Sequence, residues 1–571
     1  MTFVSYSYHM PRASTSILAS FLLIGFVGLV SSCATTQPGA PSPAATKNAT
    51  EADSQLVIAE VALQRGDSLA AAKAYLAASR ASPDVSLAEQ ATKVAFENDQ
   101  VSIAADAARR WLELEPSNVA AHRYLAVTAL RLYRLPEAIS NFGPVLASYP
   151  SPGEGFMDLT NTLGSEDDAY GVLQVTRALA ASNSRLAEAQ YAVGAAALRT
   201  YDYRLAVDSG RRAVAINPKL VEAERLLSRA LVVKGDTSEG IAMAKARLQG
   251  SDDPETRLEL VLLLSAAGFQ TEARNELTKL LEVADARPEA LRGLGALDLN
   301  EGKLDDATQR FNDLLSTGRY VGLAFYSLGN IQERRRDPVR AIRYYTRVSA
   351  GPLAADAQLR AARLLLNTGA RDEAIELLDS YVDEHPEDYV QMTIGRARLL
   401  ADEGDAGAAL DLIEEALARY PDSQPLRYSR SQMLERTERV DDAVAELREL
   451  LRQRPGDPVA MNALGYTLAD HSRDLREARS LISKSLDMTP DSPAIQDSLG
   501  WVLFKQAQYK DAMKWLTRAY ADEKDAEIAA HLGETLWAMG QHTQARAIWD
   551  EALAAEPNHR YLLNTLRRYP D

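Results

Sequence analysis

A small residue returns at nearly constant spacing along most of this 571-residue chain. Successive members of the series lie about 34 residues apart, and the one longer interval, between Ala138 and Ala206, equals two such steps. The series consists of Ala71, Ala104, Ala138, Ala206, Gly240, Ala273, Ala307, Ala341, Ala374, Ala409, Ala443, Ala478, Ala512 and Ala545. A period of this length predicts a stack of similar helical units rather than several separate globular domains.

The unit is clearest near the C-terminus. Gly500 and Gly533 occupy the same place in successive units, and each precedes the small residue of its unit, Ala512 or Ala545, by the same interval. Apolar residues stand 4 and 7 positions further on, and many units close with proline. A glycine lets two antiparallel helices approach closely, and the 4- and 7-residue steps place bulky side chains on one face of the second helix. Proline then ends that helix.

This order of residues resembles the tetratricopeptide repeat (TPR), a helix–turn–helix family. The resemblance implies an all-α fold in which antiparallel helix pairs stack into a right-handed superhelical solenoid. About fifteen units would cover residues 53–557, including a degenerate unit at 151–183 that keeps the helical pattern but not the consensus residues. Residues 558–571 would form a capping helix that covers the last open face of the array.

The first 32 residues are predicted to be a lipoprotein signal peptide. Residues 17–30, ILASFLLIGFVGLV, form an apolar run that is short for a bilayer span but typical of a signal peptide. The stretch VSSC that ends at Cys33 resembles the bacterial lipobox, which implies that Cys33 carries the lipid anchor. It is also the one cysteine of the chain, so no intramolecular disulfide can form. An ordinary signal peptide with an incidental cysteine is the alternative.

The segment 33–52 is rich in Ala, Thr, Pro and Ser and lacks apolar periodicity, which predicts a flexible linker behind the lipidated cysteine. Ala34, rather than an aspartate, follows Cys33. By resemblance to proteobacterial lipoproteins, this favours the outer membrane of a Gram-negative bacterium, with the repeats facing the periplasm.

Composition and motifs argue against several classes of function. The formal net charge of −16 disfavours nucleic-acid binding, because phosphate backbones are anionic. One cysteine excludes CxxC-type zinc or redox sites, and the seven histidines are scattered. The chain has no HExxH, GxSxG, GxxxxGK[ST] or GxGxxG motif, and the repeats leave no room for a catalytic domain. We therefore expect no enzyme activity, cofactor, metal or small-molecule substrate.

The surface of the first helix of each unit is the predicted binding groove. With the glycine of each unit counted as position 8, positions 2, 5, 9, 12 and 13 generally face that groove in TPR arrays. Tyr466 and Trp501 occupy position 9 and Trp537 occupies position 12, so they are candidates for an aromatic patch that binds an extended peptide. Asn462 and Lys505, at positions 5 and 13, would add hydrogen bonds. The alternative is that these aromatic residues only complete the packing between repeats.

A second candidate is the arginine-rich stretch 333–347, in which Arg334 falls at a groove position beside Asn330 at position 9. An acidic partner segment would dock there, although such a run is more often a solvated helix turn. The lysine–asparagine spacing of chaperone-binding TPR clamps is absent from the sequence.

A closer resemblance lies in the C-terminal units. Segments 461–486, 491–506 and 528–546 resemble the long TPR lipoproteins of proteobacteria. The resemblance implies an adaptor that mediates protein–protein contacts and brings a periplasmic carboxyl-terminal processing protease to substrates such as cell-wall hydrolases. The alternative is a TPR lipoprotein of envelope assembly or secretion, of the pilotin or exopolysaccharide-export type.

Overall fold

The computed structural model describes residues 43–556 and 559–569. The predicted signal peptide, Cys33 and residues 34–42 of the predicted linker lie outside the described residues. The described residues divide into two compact units, 43–128 and 129–569.

The described part of the first unit consists of helices joined by short turns. They are α1 (Pro43–Gln64), α2 (Ser68–Ala81), α3 (Val85–Glu97) and α4 (Val101–Leu114), while α5 (Val119–Arg131) continues into the second unit.

The second unit continues the same alternation to the end of the described chain. Its helices are α6 (Leu135–Ala147), α7 (Pro152–Gly164), α8 (Ala169–Ala181), α9 (Ala187–Arg199), α10 (Tyr203–Ile216), α11 (Val221–Lys234), α12 (Thr237–Gly250), α13 (Pro254–Ala266), α14 (Gln270–Leu280), α15 (Arg287–Asn300), α16 (Leu304–Ser316), α17 (Val321–Arg334), α18 (Pro338–Tyr345), α19 (Ala354–Asn367), α20 (Arg371–Glu384), α21 (Tyr389–Asp402), α22 (Ala406–Arg419), α23 (Gln424–Arg436), α24 (Val440–Gln453), α25 (Pro458–Asp470), α26 (Leu475–Met488), α27 (Pro493–Lys505), α28 (Tyr509–Asp522), α29 (Ala526–Ala538), α30 (His542–Ala555) and α31 (Arg560–Arg568).

The predicted all-α TPR solenoid is confirmed, and the described residues contain no β-strand. In chain order the helices α1–α30 alternate as helices A (odd numbers) and helices B (even numbers), and α31 follows the last of them. The degenerate segment 151–183 contains two helices, α7 and α8, and Phe156, Leu159 and Leu163 of α7 are buried.

The structure differs from the sequence analysis at the start of the array. Helix α1 begins at Pro43, so residues 43–52, which were predicted to belong to a flexible linker, are helical. The physical reason is composition: Ala, Lys and Glu have high helix propensity, and proline is tolerated in the first turn of a helix.

Aspartate side chains fix many of the helix starts. Asp253 precedes Pro254, the first residue of α13, and its Oδ1 accepts a hydrogen bond of 2.9 Å from the backbone N–H of Thr256. Hydrogen bonds from the Thr256 backbone, the Ser251 hydroxyl and the Thr256 hydroxyl lower the pKa of Asp253 to about 2. Such a cap satisfies a backbone donor that would otherwise lack a partner.

One close contact recurs inside the helix pairs of the second unit. A glycine of helix A faces a bulky side chain of the helix B that follows it in the chain. The pairs are Gly295 with Phe311, Gly329 with Tyr345, Gly465 with Ile482, Gly500 with Leu516, and Gly533 with Trp549. A Cβ atom built on Gly500 would lie 2.5 Å from Cγ of Leu516, which is too close for any side chain. These glycines therefore set the distance between helices A and B.

Contacts between distant repeats also hold the second unit together. The Arg454 guanidinium lies 3.1 Å from the Asp457 carboxylate and also contacts the carboxylate of Asp168, 286 residues earlier in the chain. The same guanidinium stands 4.5 Å from the ring centroid of Tyr133. Further along, Arg560 donates to the carbonyl oxygen of Ala401 at 2.9 Å. The repeats of this unit thus contact others far away in sequence.

We expect Gly533→Ala to destabilise the C-terminal repeats by about 1–3 kcal/mol, because the new methyl group would overlap the indole of Trp549. Gly407→Ala is the matched control. Gly407 is exposed in the first turn of α22, and the atom nearest its virtual Cβ is Oδ1 of Asp405 at 3.9 Å, which is an ordinary contact, so this change should leave the stability unchanged or raise it by up to about 1 kcal/mol. Urea unfolding followed by tryptophan fluorescence measures both effects, and equal midpoints for the two variants would contradict the packing argument.

Candidate functional site

Four rings from consecutive helices A meet at the C-terminal end of the array. They belong to Tyr466 on α25, Trp501 on α27, His531 on α29 and Tyr561 on α31. The centroid of the His531 ring lies 6.1 Å from that of Tyr466, 4.1 Å from that of Trp501 and 5.3 Å from that of Tyr561. We call these four residues the ring cluster.

Trp501 lies inside the ring cluster and not on its surface. Its side chain is 1% exposed, and its ring stacks on Phe504 with centroids 5.0 Å apart. Lys505 Nζ lies 4.6 Å from the Trp501 ring centroid, and the indole N–H donates to Asp470 at 3.1 Å. The structure therefore corrects the placement of Trp501 in an accessible groove: its neighbours enclose it, as in the alternative interpretation of packing between repeats.

His531 connects three helices through a buried polar network. The side chain is fully buried, and Nδ1 lies 3.0 Å from both carboxylate oxygens of Asp497, while Nε2 lies 3.1 Å from the hydroxyl of Tyr561. Burial disfavours the charged imidazolium, but the carboxylate of Asp497 favours it, with further contributions from Glu527 and Glu534. The net effect is that the pKa of His531 is raised above its usual value.

Two other buried acids complete this network. The hydroxyl of Tyr466 donates to the Glu527 carboxylate, and burial raises the pKa of Glu527. Glu534 accepts hydrogen bonds from the Thr565 hydroxyl at 3.1 Å and from the Arg568 guanidinium at 2.7 Å. Since Thr565 and Arg568 belong to α31, these bonds attach the last helix to α29.

Trp537 belongs to a separate aromatic group rather than to the ring cluster. Its ring stacks on His542 and Trp549 with centroid distances of 4.1 Å and 5.8 Å, and Tyr569 lies at 5.5 Å. The guanidinium of Arg546 stands 5.3 Å from the same ring. Trp537 is partly buried by the residues that close the array.

The remaining predicted residues are dispersed. Lys505 donates to the backbone oxygen of Asp470 at 2.9 Å, and Arg334 donates to that of Leu299 at 2.8 Å. Within the described residues, the buried side-chain oxygens of Asn462 and Asn330 have no hydrogen-bond partner. The structure thus brings Tyr466, Trp501 and Lys505 together, but the stretch around Asn330 and Arg334 lies on α17, eight helices earlier.

An exposed part of the helix-A surface was missed by the sequence analysis. Leu262 on α13 is 48% exposed and Val233 on the neighbouring α11 is 37% exposed, while Arg229 of α11 is also exposed. Leu262 and Arg229 occupy position 9 of their units, and Val233 occupies position 13. An aliphatic residue at these positions was the available signal, whereas the predicted groove residues were aromatic, amide or basic. We call these three residues the α11–α13 surface.

Two searches of the described residues gave negative results. No group of three or more His, Cys, Asp or Glu residues is arranged there so that it could hold a metal ion. Among the described helices, none has the length and apolarity that a membrane crossing requires.

Comparison with protein families finds tetratricopeptide repeats in four stretches. One tetratricopeptide-repeat model matches residues 93–143 and 394–458, and another matches residues 334–398 and 503–568. The chain thus carries tetratricopeptide repeats in these stretches, and such repeats commonly form scaffolds for protein–protein interaction.

Three curated proteins are similar over part of their length. TPR repeat-containing protein PA4667 of Pseudomonas aeruginosa is 37% identical over 214 residues, which cover 38% of this chain and 36% of that protein. Tetratricopeptide repeat protein 21B of Xenopus laevis is 25% identical over a stretch that covers 35% of this chain and 15% of that protein. Cellulose synthase operon protein C of Xanthomonas axonopodis is 24% identical over a stretch that covers 54% of this chain and 22% of that protein. The chain therefore spans about a third or less of the length of these relatives.

Two solved structures are among those similar to this chain. TTC0263, a thermophilic TPR protein of Thermus thermophilus, matches 32% of this chain and 96% of its own, with 24% identity and a TM-score of 0.28. The APC/C hetero-tetramer Cut9–Hcn1 matches 92% of this chain and 98% of its own, with 16% identity and a TM-score of 0.30.

The buried network predicts that the C-terminal repeats are more stable in mild acid. Because the folded-state pKa of His531 is raised, its stabilisation is fully present below the unfolded pKa of about 6.5 and is lost as pH rises through the folded pKa. Urea unfolding followed by tryptophan fluorescence, between about pH 6 and pH 9, should show this loss. In Asp497→Asn the loss of stability with rising pH should weaken or reverse, since burial then dominates the pKa of His531. An unchanged trend would contradict the assignment to His531.

Proposed function

We propose that this chain is a lipid-anchored scaffold that binds other proteins through its helix-A surface and has no catalytic activity of its own. The observation that carries the proposal is the exposure of Leu262 and Val233 on adjacent helices A, next to the cationic Arg229. A contiguous exposed apolar surface is typical of contact sites for partners, and Leu262 and Val233 lie on helices that contact each other. A TPR array offers an extended surface of this kind.

The partner that we propose is a periplasmic carboxyl-terminal processing protease, which the scaffold would bring to substrates such as cell-wall hydrolases. Support comes from the resemblance of segments 461–486, 491–506 and 528–546 to the long TPR lipoproteins of proteobacteria. The similarity to a TPR protein of Pseudomonas aeruginosa is compatible with this assignment. The protein would face the periplasm from the outer membrane, with Cys33 as its lipid attachment.

A second candidate is a role in envelope assembly or polysaccharide export. The similarity to cellulose synthase operon protein C over 54% of this chain favours it. In that case the same helix-A surface would hold a component of an export machine rather than a protease.

The partner-binding surface is tested by substitution in the full-length, lipidated chain. We expect the double variant Leu262→Asp/Val233→Asp to recover at least about tenfold less partner than the unmodified chain in pull-downs from envelope extracts. The reason is that the two apolar contacts buried in the complex contribute more than about 1.4 kcal/mol to binding. Val339→Asp/Ile375→Asp is the matched control, since these residues are exposed on helices B. Mass spectrometry that recovers the protease and cell-wall hydrolases supports the adaptor. A secretin or exporter in their place would favour the second candidate, and equal recovery by both variants would exclude the α11–α13 surface.

The anchor is tested separately by Cys33→Ser. We expect this variant to move from the membrane fraction to the soluble periplasmic fraction, because serine cannot form the thioether to the lipid. Fractionation and immunoblotting measure the distribution. If Cys33→Ser stays with the membranes as the unmodified chain does, the lipoprotein assignment is wrong.

A further inference from the structure

An open cavity of about 660 Å³ lies between α26 and the turn that joins α27 to α28. Its volume is within the range of about 300–1,000 Å³ that is usual for ligand sites. Every residue that lines it is polar, and none is acidic. The lining residues are Arg476, Arg479, Ser480, Ser483, Gln506 and Gln508.

Neither arginine in this cavity has a carboxylate partner among the described residues. Arg479 Nη1 donates to the side-chain oxygens of Gln506 and Gln508 at the long distances of 3.3 Å and 3.2 Å. Arg476 makes no hydrogen bond and no ion pair with any residue that the structure describes. Glu477, the acid between them in sequence, instead contacts Arg448 at 2.7 Å.

Other junctions between repeats provide the carboxylate that is missing here. A basic residue on a helix B is paired there with an acid 26–29 residues later, in the next repeat. These pairs are Arg80 with Asp106, Arg211 with Glu239, Lys245 with Glu272, Arg274 with Glu301, and Arg448 with Glu477. Arg479 reaches residues 27 and 29 positions later, but both are glutamine.

The pair of Arg274 and Glu301 is the direct parallel. Arg274 follows Ala273 of the small-residue series and contacts Glu301, 27 residues later, at 3.0 Å. Arg479 follows Ala478 of the same series, and residue 506 stands at the same 27-residue separation. The cavity therefore has an arginine in the place of Arg274 and a neutral amide in the place of Glu301.

We propose that this cavity binds an acidic segment of a partner protein, whose carboxylates take the place of the missing acid. Two guanidinium groups provide forked donors that match carboxylate geometry, and the Ser480 and Ser483 hydroxyls provide further donors. This inference rests on the proposed function as a protein-binding scaffold and adds a second contact, on a helix B, to the helix-A surface.

The acidic character of the whole chain does not prevent this binding. At physiological ionic strength the screening length is about 8 Å, so an incoming carboxylate responds mainly to the charges nearest to it. Those charges belong to Arg476 and Arg479, because Glu477 is paired with Arg448. The net charge of −16 lowers the rate at which acidic partners approach the chain. It also makes binding of an acidic segment more favourable at unpaired bases than elsewhere on the surface.

The direct test is fluorescence anisotropy of a fluorescein-labelled oligo-glutamate peptide with the full-length chain. We expect Arg476→Gln/Arg479→Gln to weaken binding at least about tenfold, because each guanidinium donates charge-assisted hydrogen bonds to the peptide. Arg80→Gln/Arg211→Gln is the matched control: it removes the same charge from helix-B arginines that already contact Asp106 and Glu239, neither of which lines the cavity. It should leave the affinity within about twofold.

A second variant separates binding from folding. Gln506→Glu should place a carboxylate beside Arg479, as Glu301 stands beside Arg274, and reduce peptide affinity at least about tenfold. Because this change also removes the 2.9 Å hydrogen bond from Gln506 Nε2 to the backbone oxygen of Leu475, Gln508→Glu, which keeps that bond, is measured beside it and should give the same loss. Undiminished binding by Gln506→Glu would overturn the proposal. Equal losses of peptide affinity in the test and control arginine variants would also overturn it. A third contradicting result is a chain that binds inorganic phosphate at this cavity but does not bind the peptide.

These outcomes differ from those that test the scaffold function itself. If the full-length chain recovers a partner from envelope extracts and Gln506→Glu recovers it equally well, the cavity is not a contact and the scaffold function stands. If the α11–α13 surface variant loses the partner and Gln506→Glu weakens recovery as well, both surfaces contribute.

Discussion

The contact between a glycine of helix A and a bulky side chain of helix B determines the rest of the structure. At Gly329 and Tyr345, as at Gly500 and Leu516, a virtual Cβ atom lies 2.5–2.6 Å from the opposing side chain, so the helices are as close as side chains allow. This close approach leaves one face of each pair for its neighbours, and a pair cannot bury that face alone. The helix pairs therefore stack on one another, and stacking leaves the surface of helices A exposed along the array.

The last repeats end the array with a polar network instead of a larger apolar core. Asp497, His531 and Tyr561 connect three successive helices A, and Glu534 holds α31 through Arg568. A buried network of this kind is favourable only when its members are hydrogen-bonded, so it specifies one position for the capping helix. That requirement explains why so many aromatic and ionisable residues gather at the C-terminal end.

The small-residue series was sufficient to predict the all-α solenoid. The binding residues were less predictable, because position 9 faces the groove in one unit and is covered by the next unit in another. Trp501 is covered by His531 of the next helix A, whereas Leu262 at the same position stays exposed. The cavity at Arg479 depends on which residue stands 27 positions later, and periodicity alone does not indicate that.

Together these features describe an array whose surfaces differ from repeat to repeat, which suits a scaffold with more than one contact site. The central claim is that partners bind to helices A. Hydrogen–deuterium exchange of the full-length chain, with and without a partner recovered from the envelope, tests it most directly. The account predicts that α11 and α13 become protected on binding while α12 and α14 change little. Protection confined to helices B, or no change in α11 and α13, would contradict it.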